Sequence, residues 1–189
     1  MVREGEVPSA VNEGRPYYGT TALLVIPNSQ ATTQSTFAPS SNTLYYEPMI
    51  LRNPVTITAV TIEVTVAKTG KDVRVGIYEA DKNWQPGKLI SDIGALSVND
   101  VAVVSINSLS IKLKEGRYLI ALHSQDNPTL RAIRCGMAFS PSTLGASAVL
   151  TNLYVAKTYA VLADPGTAWT NISAGTLPFY HTVFLSITP

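Results

Sequence analysis

"PVTITAVTIEVTVAKTGKDVRVGIY", Pro54 to Tyr78, decides the fold class. Val55 and Ile57 share one phase, and Val60, Ile62, Val64 and Val66 take the other. Alternation with a period of two puts apolar side chains on one face of a strand. The slip near Ala59 predicts a bulge, because one extra residue flips the facing. "KTGK" (Lys68–Lys71) is a tight turn in which Gly70 is free to take positive φ. Val73, Val75 and Ile77 then point one way, so Thr56 to Tyr78 reads as a hairpin.

The same pattern continues outward. "TTALLVIP" (Thr20–Pro27) reads as a strand, and "NSQATTQSTFAPSSN" (Asn28–Asn42) as a long polar loop. "TLYYEPMIL" (Thr43–Leu51) is a strand in which Pro48 suggests an edge or a bulge. "GKLISDIGAL", "DVAVVSINSLSIKL", "KEGRYLIALHS" and "TLRAIRCGMAF" are further strands, with Tyr118, Ile120 and Leu122 on one face. In the last strand Phe179, His181, Val183, Leu185 and Ile187 alternate with polar and aromatic neighbours. Only Leu144 to Tyr159 offers helical spacing, through Ala146, Leu150, Leu153 and Tyr154. Strands at roughly 10-residue spacing, separated by turn signals, indicate a two-sheet antiparallel sandwich or barrel. The reading is an all-β, jelly-roll-like antiparallel two-sheet β-sandwich over residues 18–189. An extended N-terminal arm, residues 1–17, precedes it, punctuated by Gly5, Pro8, Gly14 and Pro16 and lacking either period.

Composition bounds the function. The chain has 189 residues, 46% apolar and only 14% charged, with a net charge of +1. An average soluble domain carries about 25% charged residues, so this surface is sparsely charged, as on proteins whose skin is partly covered by partners. The charge balance gives no case for nucleic acid, which needs a clustered basic face. No run approaches the roughly 18 apolar residues of a membrane span, and the first residues have no apolar core of a secretory signal. The single cysteine, Cys135, excludes an internal disulfide and a cysteine-cluster metal site. No cofactor is implied.

Catalytic motifs are missing. Neither "TGKD" nor "PGKL" makes a phosphate loop, and no G-x-S-x-G elbow occurs. His123 and His181 sit on separate strands, and each reads as structural, His123 at a strand end where solvent begins. The 13 carboxylates are scattered. The sequon at Asn171 matters only in a secretory pathway.

One loop remains as a candidate ligand site. "EADKNWQPG" (Glu79–Gly87) offers Asp81, Asn83, Trp84 and Gln85. An aromatic platform with neighbouring polar groups suits a sugar. Equally, Pro86-Gly87 makes a turn and Trp84 folds over the sandwich end as a lid. Trp169 carries the same ambiguity.

Several of these stretches together resemble a known group. "LYYEPMILRNPVTITAVTIEVTVAKTGKDVRVGIYEADKNWQPGKLISDIGALSV", then "LKEGRYLIALHSQDNPTLRAI" and "GTLPFYHTVFL", resembles the β-sandwich domain of bacteriophage tail-fibre and related virion proteins. The likeness is a pattern of strands and turns from about Leu44 to Leu185, without a catalytic signature. It implies a non-enzymatic structural protein on the particle exterior. No heptads or collagen-like triplets supply a fibre shaft, which leaves two jobs. One is a capsid cement (decoration) protein clamping other virion proteins. The other is a small tail or neck fibre head binding host-surface glycan. The resemblance also implies a homotrimer. The arm is the expected attachment device: Arg3 and Arg15 give charge, and Val2, Val7, Val11 and Tyr17 give spaced apolar groups. Fully extended it reaches up to ~55–60 Å.

Overall fold

The computed structural model describes residues 31–135, 153–164 and 179–188. The arm, with Val2, Arg3, Val7, Val11, Arg15 and Tyr17, lies outside the described residues, as do the expected strand Thr20–Pro27, Trp169 and Asn171. The chain is all-β. Its strands are β1 (Ala31–Phe37), β2 (Thr43–Leu51), β3 (Val55–Val66), β4 (Asp72–Ala80), β5 (Pro86–Ser97) and β6 (Val103–Ile106). They continue as β7 (Ile111–Leu113), β8 (Gly116–Ser124), β9 (Thr129–Cys135), β10 (Leu153–Ala156), β11 (Phe179–His181) and β12 (Phe184–Thr188).

Two antiparallel sheets pack face to face as a β-sandwich. Five strands form one sheet in the order β10-β2-β8-β4-β5. The other runs β1-β9-β3-β12, with β11 on β9 and both β6 and β7 on β3. The core between them takes Val55, Ile57, Val60, Ile62 and Val64 from β3, Val73, Val75 and Ile77 from β4, and Tyr118, Ile120 and Leu122 from β8. Each Val, Leu or Ile so buried contributes about 1.5–3 kcal/mol.

β3 bears out the phase slip read from its sequence. Ser186 lies opposite Ala59 and Ile187 opposite Ile57, so Thr58 is the extra residue of a bulge. The other neighbour breaks at the same level. β6 pairs with Thr61–Glu63 and Val60, β7 with Val55–Ile57, and between them Ser108 takes φ +60°. The Leu109 N–H donates to the freed Thr58 carbonyl at 2.9 Å. The expected single strand "DVAVVSINSLSIKL" is therefore two short strands, divided where its partner bulges.

The hairpin reading of Thr56–Tyr78 is corrected. β3 and β4 do not pair; they belong to different sheets. Lys68–Lys71 is a tight turn with Gly70 at φ +70°, but it carries the chain across the sandwich end. The turn is pinned by Val98, through Lys68 N–H to the Val98 carbonyl and Val98 N–H to the Lys71 carbonyl. Alternation on both sides of a turn cannot tell a hairpin from such an arch. In each case the apolar faces meet, either side by side or across the core.

Four other expectations change. Ala31–Phe37, read as loop, pairs with β9 from Ala31↔Cys135 to Phe37↔Leu130; its Thr, Ser and Gln side chains hid it. Leu153 and Tyr154 lie in a strand paired with β2, not in a helix. Val66 follows a register shift between Val64 and Val66, which removes it from the core phase and leaves it 52% exposed. The C-terminal strand is broken at Thr182–Val183. β11 pairs with β9 and β12 with β3, so this segment fills a gap where β9 and β3 splay. At the break the Thr182 N–H and hydroxyl both donate to one oxygen of Glu47, at 2.9 and 2.7 Å. Glu47, 3% exposed, reaches from β2 in the facing sheet. A buried N–H without a ladder partner is costly, and Glu47 satisfies it across the core. Pro48 follows in β2 beyond Tyr46, where pairing with β10 ends, as expected of an edge position.

The two sheets differ on their outer faces. The larger presents Thr56, Thr58, Thr61, Glu63 and Thr65, half-exposed, with Glu63 bonded to Arg131. The smaller is apolar there too, and it is covered. Leu44, Tyr46, Tyr78, Leu119 and Ala121 form a second buried cluster with Trp84 and Leu162.

Candidate functional site

The loop Asp81–Gln85 joins β4 to β5, closing after Ala80 pairs with Pro86. Its geometry is set by Asp81. One carboxylate oxygen accepts the N–H groups of Asn83 (2.7 Å) and Gln85 (2.8 Å). The Trp84 N–H donates to the Asp81 carbonyl, and the Asp81 N–H to the Gln85 carbonyl. This is the short-range side-chain-to-backbone bonding for which Asp is favoured in turns. Trp84 itself sits at φ +62°, a left-handed conformation that costs a non-glycine residue roughly 1–2 kcal/mol. It turns the indole inward, onto the outer face of the smaller sheet.

Trp84 is 6% exposed. The guanidinium of Arg117 lies over its ring at 5.6 Å and donates to the Lys82 carbonyl at 3.0 Å. The platform expectation is corrected on this point: stacking on a pyranose needs an open ring face, and this indole packs in the second cluster with Arg117 above it. The geometry matches the lid alternative. Asp81 and Trp84 build the turn, Asn83 and Gln85 have their N–H groups committed to Asp81, and Gln85 is half-buried. Beside the loop lies an open depression lined by Ile50, Leu51, Arg52, Glu115, Gly116 and Arg117.

A strap shares the covering role. Residues 157–164 follow β10 and cross the outer face of the smaller sheet. The Lys157 N–H donates to the Asn42 carbonyl and the Tyr159 N–H to the Asn42 side chain. His123 of β8 meets the Lys157 carbonyl, the Tyr78 hydroxyl of β4 donates to the Ala163 carbonyl, and the Leu89 N–H of β5 donates to Asp164. Leu162 fills the middle, over Gly76: a Cβ there would sit 2.3 Å from its Cδ1. Burial pushes the Tyr78 hydroxyl up to about 12. Under the strap, Arg74 makes a bidentate pair with Asp92, at 2.7–3.0 Å. The sequence reading of His123 as a solvent-edge residue is corrected: it is 0% exposed. Nothing local signals this, because the cover arrives from more than thirty residues downstream. His181 lies in β11, and Cys135 ends β9.

Among the described residues no group of His, Cys, Asp or Glu is arranged to hold a metal ion. No helix there is long and apolar enough to cross a membrane. The exposed large apolar side chains among the described residues are Val66 at the end of β3, Val101 and Val103 beside it, and Val161 of the strap. Val101 and Val103, each 68% exposed, flank Ala102, whose carbonyl accepts the Val64 N–H, and Val66 stands nearby. Comparisons with protein-family models, curated proteins and solved structures returned no match.

Proposed function

We propose that this chain is a non-enzymatic structural protein of a bacteriophage virion, a capsid cement protein that clamps the shell from outside as a homotrimer. The observation that carries the reading is the exposed valine corner, Val66, Val101 and Val103, on a chain with only 14% charged residues. Clustered exposed apolar groups mark contact surfaces, and a cement acts by binding the assembled lattice but not its free subunits. The strand-and-turn resemblance to virion sandwiches supports the context. The arm, residues 1–17, is the second attachment point. Ordering it costs about 1–2 kcal/mol per residue in backbone entropy, which extensive contacts with a neighbour offset. The alternative, a fibre head that binds host glycan, needs an aromatic platform other than Trp84.

The test has two parts. Particles from cultures expressing the chain are purified and its copy number is measured by quantitative mass spectrometry. Hundreds of copies fit cement, a few tens or fewer fit a fibre, and none overturns the virion reading. Deletion of residues 1–17 is then expected to leave the melting curve unchanged and abolish co-sedimentation with particles lacking the protein. Retained binding would show that the sandwich docks by itself.

A further inference from the structure

We infer that His123 is an acid-sensitive catch that holds the 157–164 strap onto the outer face of the smaller sheet. A carbonyl only accepts, so Nε2, 3.0 Å from the Lys157 carbonyl, carries the imidazole proton. That bond is open to the neutral ring and to the cation alike; what separates them is Nδ1, which among the described residues is buried with no hydrogen-bond partner to receive a second proton. The Tyr159 ring of the strap packs against the imidazole, centroids 5.1 Å apart and planes tilted by 45°. The site admits a neutral ring and disfavours a cation, because a second proton would place a charge where no water reaches it.

The surrounding charges act in the same sense. β4 contributes Arg74, which sits opposite His123 in the ladder, and the strap contributes Lys157. Asp92 of β5 is committed to Arg74, and Asp72 opens β4 near Tyr159. Leu44, the neighbour of His123 on β2, is uncharged. Burial, then the positive charges of Lys157 and Arg74, hold the imidazole below its ordinary range, although the Lys157 and Ala160 carbonyls pull the other way. A group whose folded-state pKa is depressed in this way disfavours the proton when the strap is closed. With the strap open the ring regains solvent and a value near 6.5. The open state therefore binds more protons, and closure weakens as pH falls through about 6.5, by up to tenfold per pH unit for a single proton.

The strap suits a local opening. Its ties to the sheet include backbone and side-chain bonds and the packing of Leu162, whereas the sheets beneath are held by the inter-sheet core. Opening uncovers Leu44, Tyr46, Leu119 and Ala121, an apolar face on strands that stay folded. The inference does not depend on the virion reading.

Amide hydrogen exchange of the whole chain, corrected for intrinsic rates, is measured from pH 7.5 to pH 5. Protection at Lys157 and Tyr159 is expected to fall by tenfold or more, while that of Ile62 and Val75 in the core strands holds. His123→Gln, which keeps an N–H donor but does not titrate, is expected to show strap protection independent of pH. Unchanged wild-type strap protection down to pH 5, or the same loss in His123→Gln, would overturn the inference. If the variant does not fold, NMR titration of the wild-type imidazole decides. Protonation in step with strap exchange supports the catch. Protonation with the strap still protected, or opening while the ring stays neutral, rejects it.

Discussion

Trp84 combines two opposed terms. Its left-handed backbone is strained, and its ring fills the second cluster beneath Arg117. Burial wins, since losing a buried aromatic costs about 3–5 kcal/mol against roughly 1–2 kcal/mol for the backbone. Trp84→Ala is expected to destabilise the chain by ~3 kcal/mol or more, read as a lowered urea midpoint. Trp84→Gly removes as much ring but relieves the strain, so it should be the milder change, by about 1 kcal/mol. Equal losses in the two variants would show that the positive φ carries no strain. Glu47 illustrates the reverse case, a polar side chain brought into the core because the backbone there needs an acceptor. No periodicity announces it; its partner Thr182 is 135 positions away.

At the scale of elements, the strap and the Trp84 loop do for the smaller sheet what solvent-facing threonines do for the larger. Tyr78 ties β4 to the strap, and its hydroxyl is held protonated, with a value of about 12 against the usual 10. The folded state keeps that proton more tightly than the unfolded chain does. Its stabilisation is thus fully present below pH 10 and lost as pH rises through about 12. Denaturation midpoints at pH 9, 10.5 and 11.5 should fall more steeply for the wild type than for Tyr78→Phe. Parallel curves would mean that burial does not lift the hydroxyl above its ordinary range. β3 shows how an irregularity propagates between elements. Its bulge at Thr58 was legible in the phase of Val55, Ile57, Val60 and Ile62. The answering break between β6 and β7 was not, because it satisfies a neighbour's carbonyl and not a pattern of its own.

For the whole molecule, the exposed corner is the surface to test as the contact between copies in the proposed assembly. Val103→Lys should change stability by no more than about 0.5 kcal/mol, as for other exposed positions. If the corner is buried between copies, static light scattering should report three times the 20.3 kDa chain mass for the wild type and the single-chain mass for the variant. A trimer that survives Val103→Lys would place the interface elsewhere.

The amino-acid order by itself determined that this protein is built of strands, where most of them run, and which side chains of β3 (Val66 apart), β4 and β8 face a core. Period-two alternation and turn residues are local properties, and backbone geometry converts them directly into facing. It also offered Asp81–Gln85 as a turn with an aromatic lid. The tertiary structure alone decided that β3 and β4 face each other across the sandwich instead of pairing. It alone decided that "ATTQSTF" (Ala31–Phe37) is a strand, that Trp84 points inward, and that His123 lies beneath a strap. Those outcomes depend on surfaces contributed by distant segments: β9 for the polar strand, and Leu44, Leu119 and Leu162 for the indole and its neighbours. Burial is the removal of area by whatever arrives from elsewhere in the chain, so a residue's own neighbours in sequence cannot specify it.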